Sequence, residues 1–347
     1  MQNIDYLIVA ENATLGQKIY TDQRKVMLED LGYSVKIVSF SGPKMRITLD
    51  MLRIAYNYKK NLEKNLETLK PQIIEFYCPA TLILQDKQLL KNYKTIASFD
   101  LPFGVNTLNF GSSILHRLER QKFLEADLIF SLTKYGMNFL RSKYQINRKM
   151  VYLPYVLDPK EQEGVKVYNG DFALSYCPEE RLERKGFDIL MGSWNIINSG
   201  KKLIVMGINR ERANKYLLKK GIVLPENVEF IHFLPREEFL SLISSCSFFI
   251  SSSRFEEFGQ IIIEALSFGK PVITTPTLGP SELLGEIDKK LICPTFSPID
   301  LARTIEYLEE NSSSMYLEKI RDKFMKNNNY HSVKNRLNEE ITALLAG

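Results

Sequence analysis

Glu256 and Glu264 stand with seven residues between them in RFEEFGQIIIEALSFGKPV, residues 254–272, a stretch that otherwise reads as largely apolar. Burying a carboxylate is costly unless a specific partner compensates it. A carboxylate accepts several hydrogen bonds, so the vicinal hydroxyls of a ribose or a hexose suit it. Between the two glutamates lie Phe258, Gly259 and Gln260, where a helix is expected to begin. Glycine lets a backbone approach a ligand closely, and the unpaired amides of a helix start attract anions such as phosphate. Carboxylates for hydroxyls beside amides for phosphate suit a ligand with both parts, such as a nucleotide sugar. Two glutamates at this spacing also occur by chance on solvated loops, so the neighbouring elements must decide.

Those elements alternate between strand and helix. DYLIVA, SVKIVSF, QIIEFY, KTIASFD, ADLIFSLT and KMVYLPYV read as strands, with helical patterns such as TDQRKVMLEDLGY between them. A long helical stretch runs from Met45 to Lys70 and stops at Pro71. From Asp158 to Asp171 the chain turns polar, with Pro, Gly and Asn, as a linker would. A second series follows. FALSYC, KLIVMG, NVEFIHF, SFFISSS and PVITT are expected strands, and GFDILMGSWNII, RERANKYLLKKG, REEFLSLISSC, QIIIEALSFG and DLARTIEYLEEN expected helices. Such alternation argues for parallel sheets with crossover helices. Two α/β domains in tandem follow, with a ligand expected at the carboxyl ends of the strands, in the cleft between the domains.

Composition sets the outer limits. The 347 residues are 44% hydrophobic and 25% charged, an ordinary globular balance. Net charge is +5, unevenly spread: residues 1–160 carry 23 Lys and Arg against 15 Asp and Glu, and residues 161–347 carry 23 against 26. The basic half could face an anionic partner; no aromatic-interleaved basic motif points to nucleic acid. Cys78, Cys177, Cys246 and Cys293 fit no ligand spacing and read as buried thiols of a reducing compartment. With no signal-peptide pattern and no apolar run of membrane-spanning length, a cytoplasmic location is expected. No Walker-type string and no His/Cys cluster occurs.

The segment from Ser251 to "FGKPV" resembles the signature of family-4 retaining glycosyltransferases of the GT-B fold. The matching features are a serine-rich strand end, Glu256, Phe258-Gly259, the triplet Ile261 to Ile263, and Glu264-Ala265. LGPSELL, ERLERKGFDILM and NVEFIHFLPREEFLSLISSCSFFISSS are similar to that family's neighbouring motifs, so the likeness covers roughly residues 172–305. It implies an α/β, GT-B fold of two Rossmann-like domains facing each other across a cleft. Residues 1–160 would bind the acceptor and residues 161–325 the nucleotide sugar, with 326–347 a C-terminal helix packing back on the N-terminal domain.

The resemblance also implies roles. Arg181 and Lys185 would stabilise the departing diphosphate, with Arg184 a rival for the first role. Glu264 would hold the ribose hydroxyls, and Glu256 would face the donor sugar or the phosphate edge. The amides of Phe258, Gly259 and Gln260 would help fix sugar and diphosphate. The base would lie near Ile231 to Phe233, with His232 as a wall residue, and Gly16 in ATLGQ would stand near the phosphates. The chain departs from the family pattern twice. Phe99 replaces a cleft histidine, which leaves Asp100 to take over part of its task, and Glu257 stands where glycine is usual. No DxD triplet occurs, so no metal or other cofactor is expected. The expected partners are a UDP-, GDP- or ADP-linked sugar and a glycan or lipid-linked acceptor. An anionic membrane surface is a further expected partner, through Arg46, Arg53, Lys59, Lys60 and Lys64 of the long helix, at the cytoplasmic membrane face. The rival of another class is a catalytically inactive GT-B subunit, and a GT-B epimerase is a second enzyme reading.

Overall fold

A computed structural model describes residues 4–11, 15–40, 49–77, 81–82, 92–100, 102, 112–168, 170–197 and 200–347. Cys78, Arg46 and the start of the expected Met45–Lys70 helix lie outside them, as do Ala13 and Thr14 of the ATLGQ loop. The chain divides into two compact units, Met1–Tyr155 with His331–Gly347, and Val156–Tyr330.

The first unit contains β1 (Tyr6–Glu11), α1 (Leu15–Asp30), β2 (Val35–Phe40), α2 (Leu49–Leu69), β3 (Ile73–Tyr77), β4 (Lys94–Phe99), α3 (Ser112–Glu125), β5 (Leu128–Ser131), α4 (Lys134–Ser142) and β6 (Met150–Tyr152). Its six strands are all parallel, in the order β2-β1-β3-β4-β5-β6. Central strands of such a sheet are covered on both faces, which is why Tyr6 to Ala10 is an unbroken buried run. In α2, Tyr58, Leu62 and Leu66 recur at helical spacing and pack into the core beside Phe76 and Phe99. These three side chains are therefore committed to the core, while Lys60 and Lys64 face solvent.

An uncommon polar knot fixes α1 to the sheet. Arg24 is buried, with its guanidinium 4.0 Å from Glu75 of β3 and hydrogen-bonded to the Tyr20 hydroxyl. Glu75 also accepts from the Tyr6 hydroxyl at 2.7 Å and from Ser98 Oγ at 2.5 Å. A buried carboxylate with a cation and two hydroxyls meets the requirement that buried charge be paired and hydrogen-bonded. Burial pushes the Tyr6 and Tyr20 hydroxyls well above their ordinary range.

The second unit contains α5 (Pro159–Glu163), β7 (Phe172–Tyr176), α6 (Phe187–Trp194), β8 (Lys202–Met206), α7 (Arg210–Lys220), β9 (Val228–Ile231), α8 (Arg236–Ser245), β10 (Phe248–Ser251), α9 (Gln260–Ser267), β11 (Val272–Thr274), α10 (Leu278–Ile287), α11 (Pro298–Asn311) and α12 (Ser314–Asn328). Its five strands are parallel in the order β11-β10-β7-β8-β9. The order reverses between β7 and β10, and ligands of open α/β sheets bind outside the carboxyl ends of the strands at such a point.

The expected linker Asp158–Asp171 turns out to open the second unit and to contain a helix. Asp158 caps α5, its carboxylate accepting from Lys160 N at 2.8 Å, and Pro159 supplies the preset first helical residue. The last helix, α13 (Tyr330–Ala346), leads into the His331–Gly347 part of the first unit. There Arg336 donates to Tyr152 O at 2.9 Å and Lys334 pairs with Asp30 at 3.7 Å. Among the described residues, no helix is long and apolar enough to cross a membrane.

Candidate active site

Two loops meet where the order of the second sheet reverses. One follows β7 and runs through a 3-10 turn, Glu179–Arg181, to Gly186; the other follows β10 and runs from Ser252 to Gly259. Their backbones touch. Arg254 N donates to Arg184 O at 2.8 Å, and Ser252 Oγ to Lys185 O at 2.8 Å. Gly186 has φ +60°, and a Cβ there would fall on Ser252 O. Only glycine satisfies both the left-handed backbone and the missing space.

Arg254 clamps the same two loops. It donates to Glu183 O at 2.8 Å and makes a bidentate pair with Asp188 of α6 at 2.7 and 2.6 Å. Burial alone would raise the Asp188 carboxyl; the Arg254 hydrogen bonds and charge outweigh it and hold the group below its ordinary range.

On this frame the sequence-expected residues fall into separate groups. Lys185 Nζ is ion-paired with Glu256 Oε2, and Arg184 Nη2 lies 3.6 Å from Glu256 Oε1. Glu256 thus sits in a two-cation corner with its side chain only 12% exposed. Phe258 and Gly259 complete the loop. Gly259 has φ +77°, and a Cβ there would come within 2.9 Å of Ile262 Cδ1 and 3.0 Å of Pro280 Cγ. Gln260 is the first residue of α9, and its Nε2 is buried with no hydrogen-bond partner among the described residues. A buried donor left open next to first-turn amides is what an oxygen-rich ligand would satisfy.

Glu264, one turn further along α9, is 1% exposed, and its Oε1 accepts from Arg236 Nη1 at 2.8 Å. The residue type predicts a costly buried charge; the structure supplies its counter-ion from the start of α8. Arg236 and Arg254 are the two site residues that sequence reasoning did not single out. Both contacts join positions far apart in the chain, and no local spacing announces them.

The remaining candidates have other surroundings. Arg181 is exposed and makes no side-chain hydrogen bond or ion pair among the described residues, although its backbone O accepts from Lys185 N at 2.8 Å. His232 is exposed at the end of β9, and its charged neighbour is Glu179, 4.0 Å away. Gly16 and Asp100 belong to the first unit. Gly16 is the second residue of α1, and Asp100 directly follows β4, its backbone O accepting from Thr133 Oγ1 at 3.2 Å. Phe99, in the place of the family histidine, is fully buried and stacks edge to face on Phe123, with centroids 5.1 Å apart.

No group of three or more His, Cys, Asp or Glu capable of holding a metal occurs among the described residues. Cys177, Cys246 and Cys293 are buried, and burial pushes their thiols up to about 11, about 12 and about 11. They are protonated at neutral pH and unsuited to act as nucleophiles.

Two parallel-sheet units in tandem, each with its loops at the carboxyl ends of the strands, define a protein of the GT-B class. Residues 165–330 match the family Glycosyl transferases group 1. An uncharacterized glycosyltransferase of Methanocaldococcus jannaschii is 27% identical over 228 residues, 64% of this chain and 61% of that one. The O-antigen biosynthesis glycosyltransferase WclY of Escherichia coli is 31% identical over 170 residues, 46% of this chain and 45% of that one. The chain therefore spans about half to three-fifths of the length of these relatives. The crystal structure of Anabaena Alr3699/HepE in complex with UDP and glucose superposes with a TM-score of 0.68, covering 98% of this chain and 100% of that one at 15% identity.

Proposed function

We propose that the protein transfers a sugar from a nucleotide-sugar donor to an acceptor hydroxyl, with retention of configuration and without a metal ion. The observation that carries this reading is the corner where Glu256, Lys185 and Arg184 gather beside the Gly259-capped start of α9. Charge develops on the leaving diphosphate as its bond to the anomeric carbon breaks. Preorganised cations and helix-start amides are the physical answer to it. Lys185, with Arg184 or Arg181, would face the diphosphate together with the amides of Gly259 and Gln260. Glu256 would accept from donor-sugar hydroxyls, and Glu264 from the ribose. The acceptor oxygen would attack the face the diphosphate leaves, and its proton would pass to the departing phosphate oxygen.

HepE was solved with UDP and glucose, which favours a UDP-linked donor for this chain as well. WclY is named for O-antigen biosynthesis, which favours a glycan acceptor. A peripheral membrane location rests on charge alone, because the described apolar residues of α2 lie in the core.

The reading is tested by incubating the full chain with UDP-, GDP- and ADP-linked sugars in the presence of EDTA. Slow release of one nucleoside diphosphate, undiminished by the chelator, is the expected result. Release that requires an added divalent ion would refute metal independence, and no binding of any donor would refute the site.

A further inference from the structure

Arg236 bridges two carboxylates from separate parts of the second unit. Its Nη1 lies 2.8 Å from Glu264 Oε1, and its Nε lies 3.1 Å from Glu161 Oε1 on α5. The two ends differ in burial: Glu264 is sealed from solvent, whereas Glu161 and Arg236 are partly exposed. A sealed carboxylate keeps its charge only beside a cation. A guanidinium does more than supply charge, because its planar fork of donors fixes how a carboxylate is turned.

We propose that Arg236 is a positioning residue for Glu264. It holds the carboxylate in the orientation from which it receives the ribose hydroxyls, and Glu161 holds Arg236 in turn. This inference rests on the ribose role of Glu264 given above. It also ties the donor site to α5, the first helix of the second unit, so the segment by which the chain enters the unit helps set the nucleotide-binding carboxylate.

The test is calorimetric titration of the full chain with whichever of UDP, GDP and ADP binds tightest, and with its 2′,3′-dideoxy analogue. Wild type is expected to prefer the ribose form by about tenfold or more, as hydrogen bonds to a charged acceptor allow. Arg236→Gln is expected to lose most of that preference while binding the dideoxy analogue as wild type does. Arg236→Lys should keep part of it, and Glu161→Gln should lose less than Arg236→Gln. A merely structural role would change the melting temperature, or weaken both ligands alike, and leave the ratio intact. An unchanged ratio in Arg236→Gln overturns the inference and leaves the ribose role standing. If that variant does not fold, an unchanged ratio in Arg236→Lys has the same force. A wild type that binds both forms equally, or binds none of the three nucleotides, overturns the ribose role and this inference with it.

Discussion

At the scale of single residues, Glu256 and Glu264 both have cationic partners, Lys185 and Arg184 for Glu256 and Arg236 for Glu264. The partners differ in what they imply. On the proposed reading Lys185 and Arg184 receive the diphosphate, so their pairing with Glu256 is one that a donor could rearrange. Lys185→Ala should therefore lower the transfer rate by roughly 100-fold, the scale of losing one preorganised charge in a site, with little change in melting temperature. Arg181→Ala should act in the same direction, and a change in stability alone would make either residue structural. Much of the site could be read from local signals: a glycine before a helix start, an acidic residue one turn in, a Lys-Gly pair before another helix. Arg236 and Arg254 could not be read that way, because a salt bridge across loops leaves no periodic trace.

At the scale of elements, glycines decide how closely the site loops approach. Gly186 carries a left-handed backbone and also lies against Ser252 O, whereas Gly32, at φ +92°, has nothing within 4 Å of the position a Cβ would take. Gly32→Ala should cost about 1 kcal/mol, the backbone penalty alone. Gly186→Ala should cost more, about 2–4 kcal/mol, because the two loops must separate. Urea unfolding of the two variants checks the order, and equal losses would mean that the loop contact is not held tightly. The strands were legible because buried parallel strands are continuous apolar runs, as in Tyr6 to Ala10 and Phe248 to Ile250. The helix inside the supposed linker was not, since Asp158 and Pro159 are as suited to a turn as to a capped helix start. The basic helix α2 reads as amphipathic in either setting, and only packing reveals that Tyr58, Leu62 and Leu66 face the core.

At the scale of the whole molecule, the chain has a GT-B fold, and its residues 165–330 match the Glycosyl transferases group 1 family. Its candidate nucleotide site is built within one unit, on loops at the reversal of a five-stranded sheet. On the proposed reading this site binds a nucleoside diphosphate, with Glu264 on the ribose. Calorimetric titration of wild type and Glu264→Ala with UDP, GDP and ADP tests it most directly. Measurable binding of one of them by wild type is expected, with a loss of about 1–3 kcal/mol in the variant, the value of hydrogen bonds to a charged group. Equal affinity in the two proteins, with both folded, would contradict it.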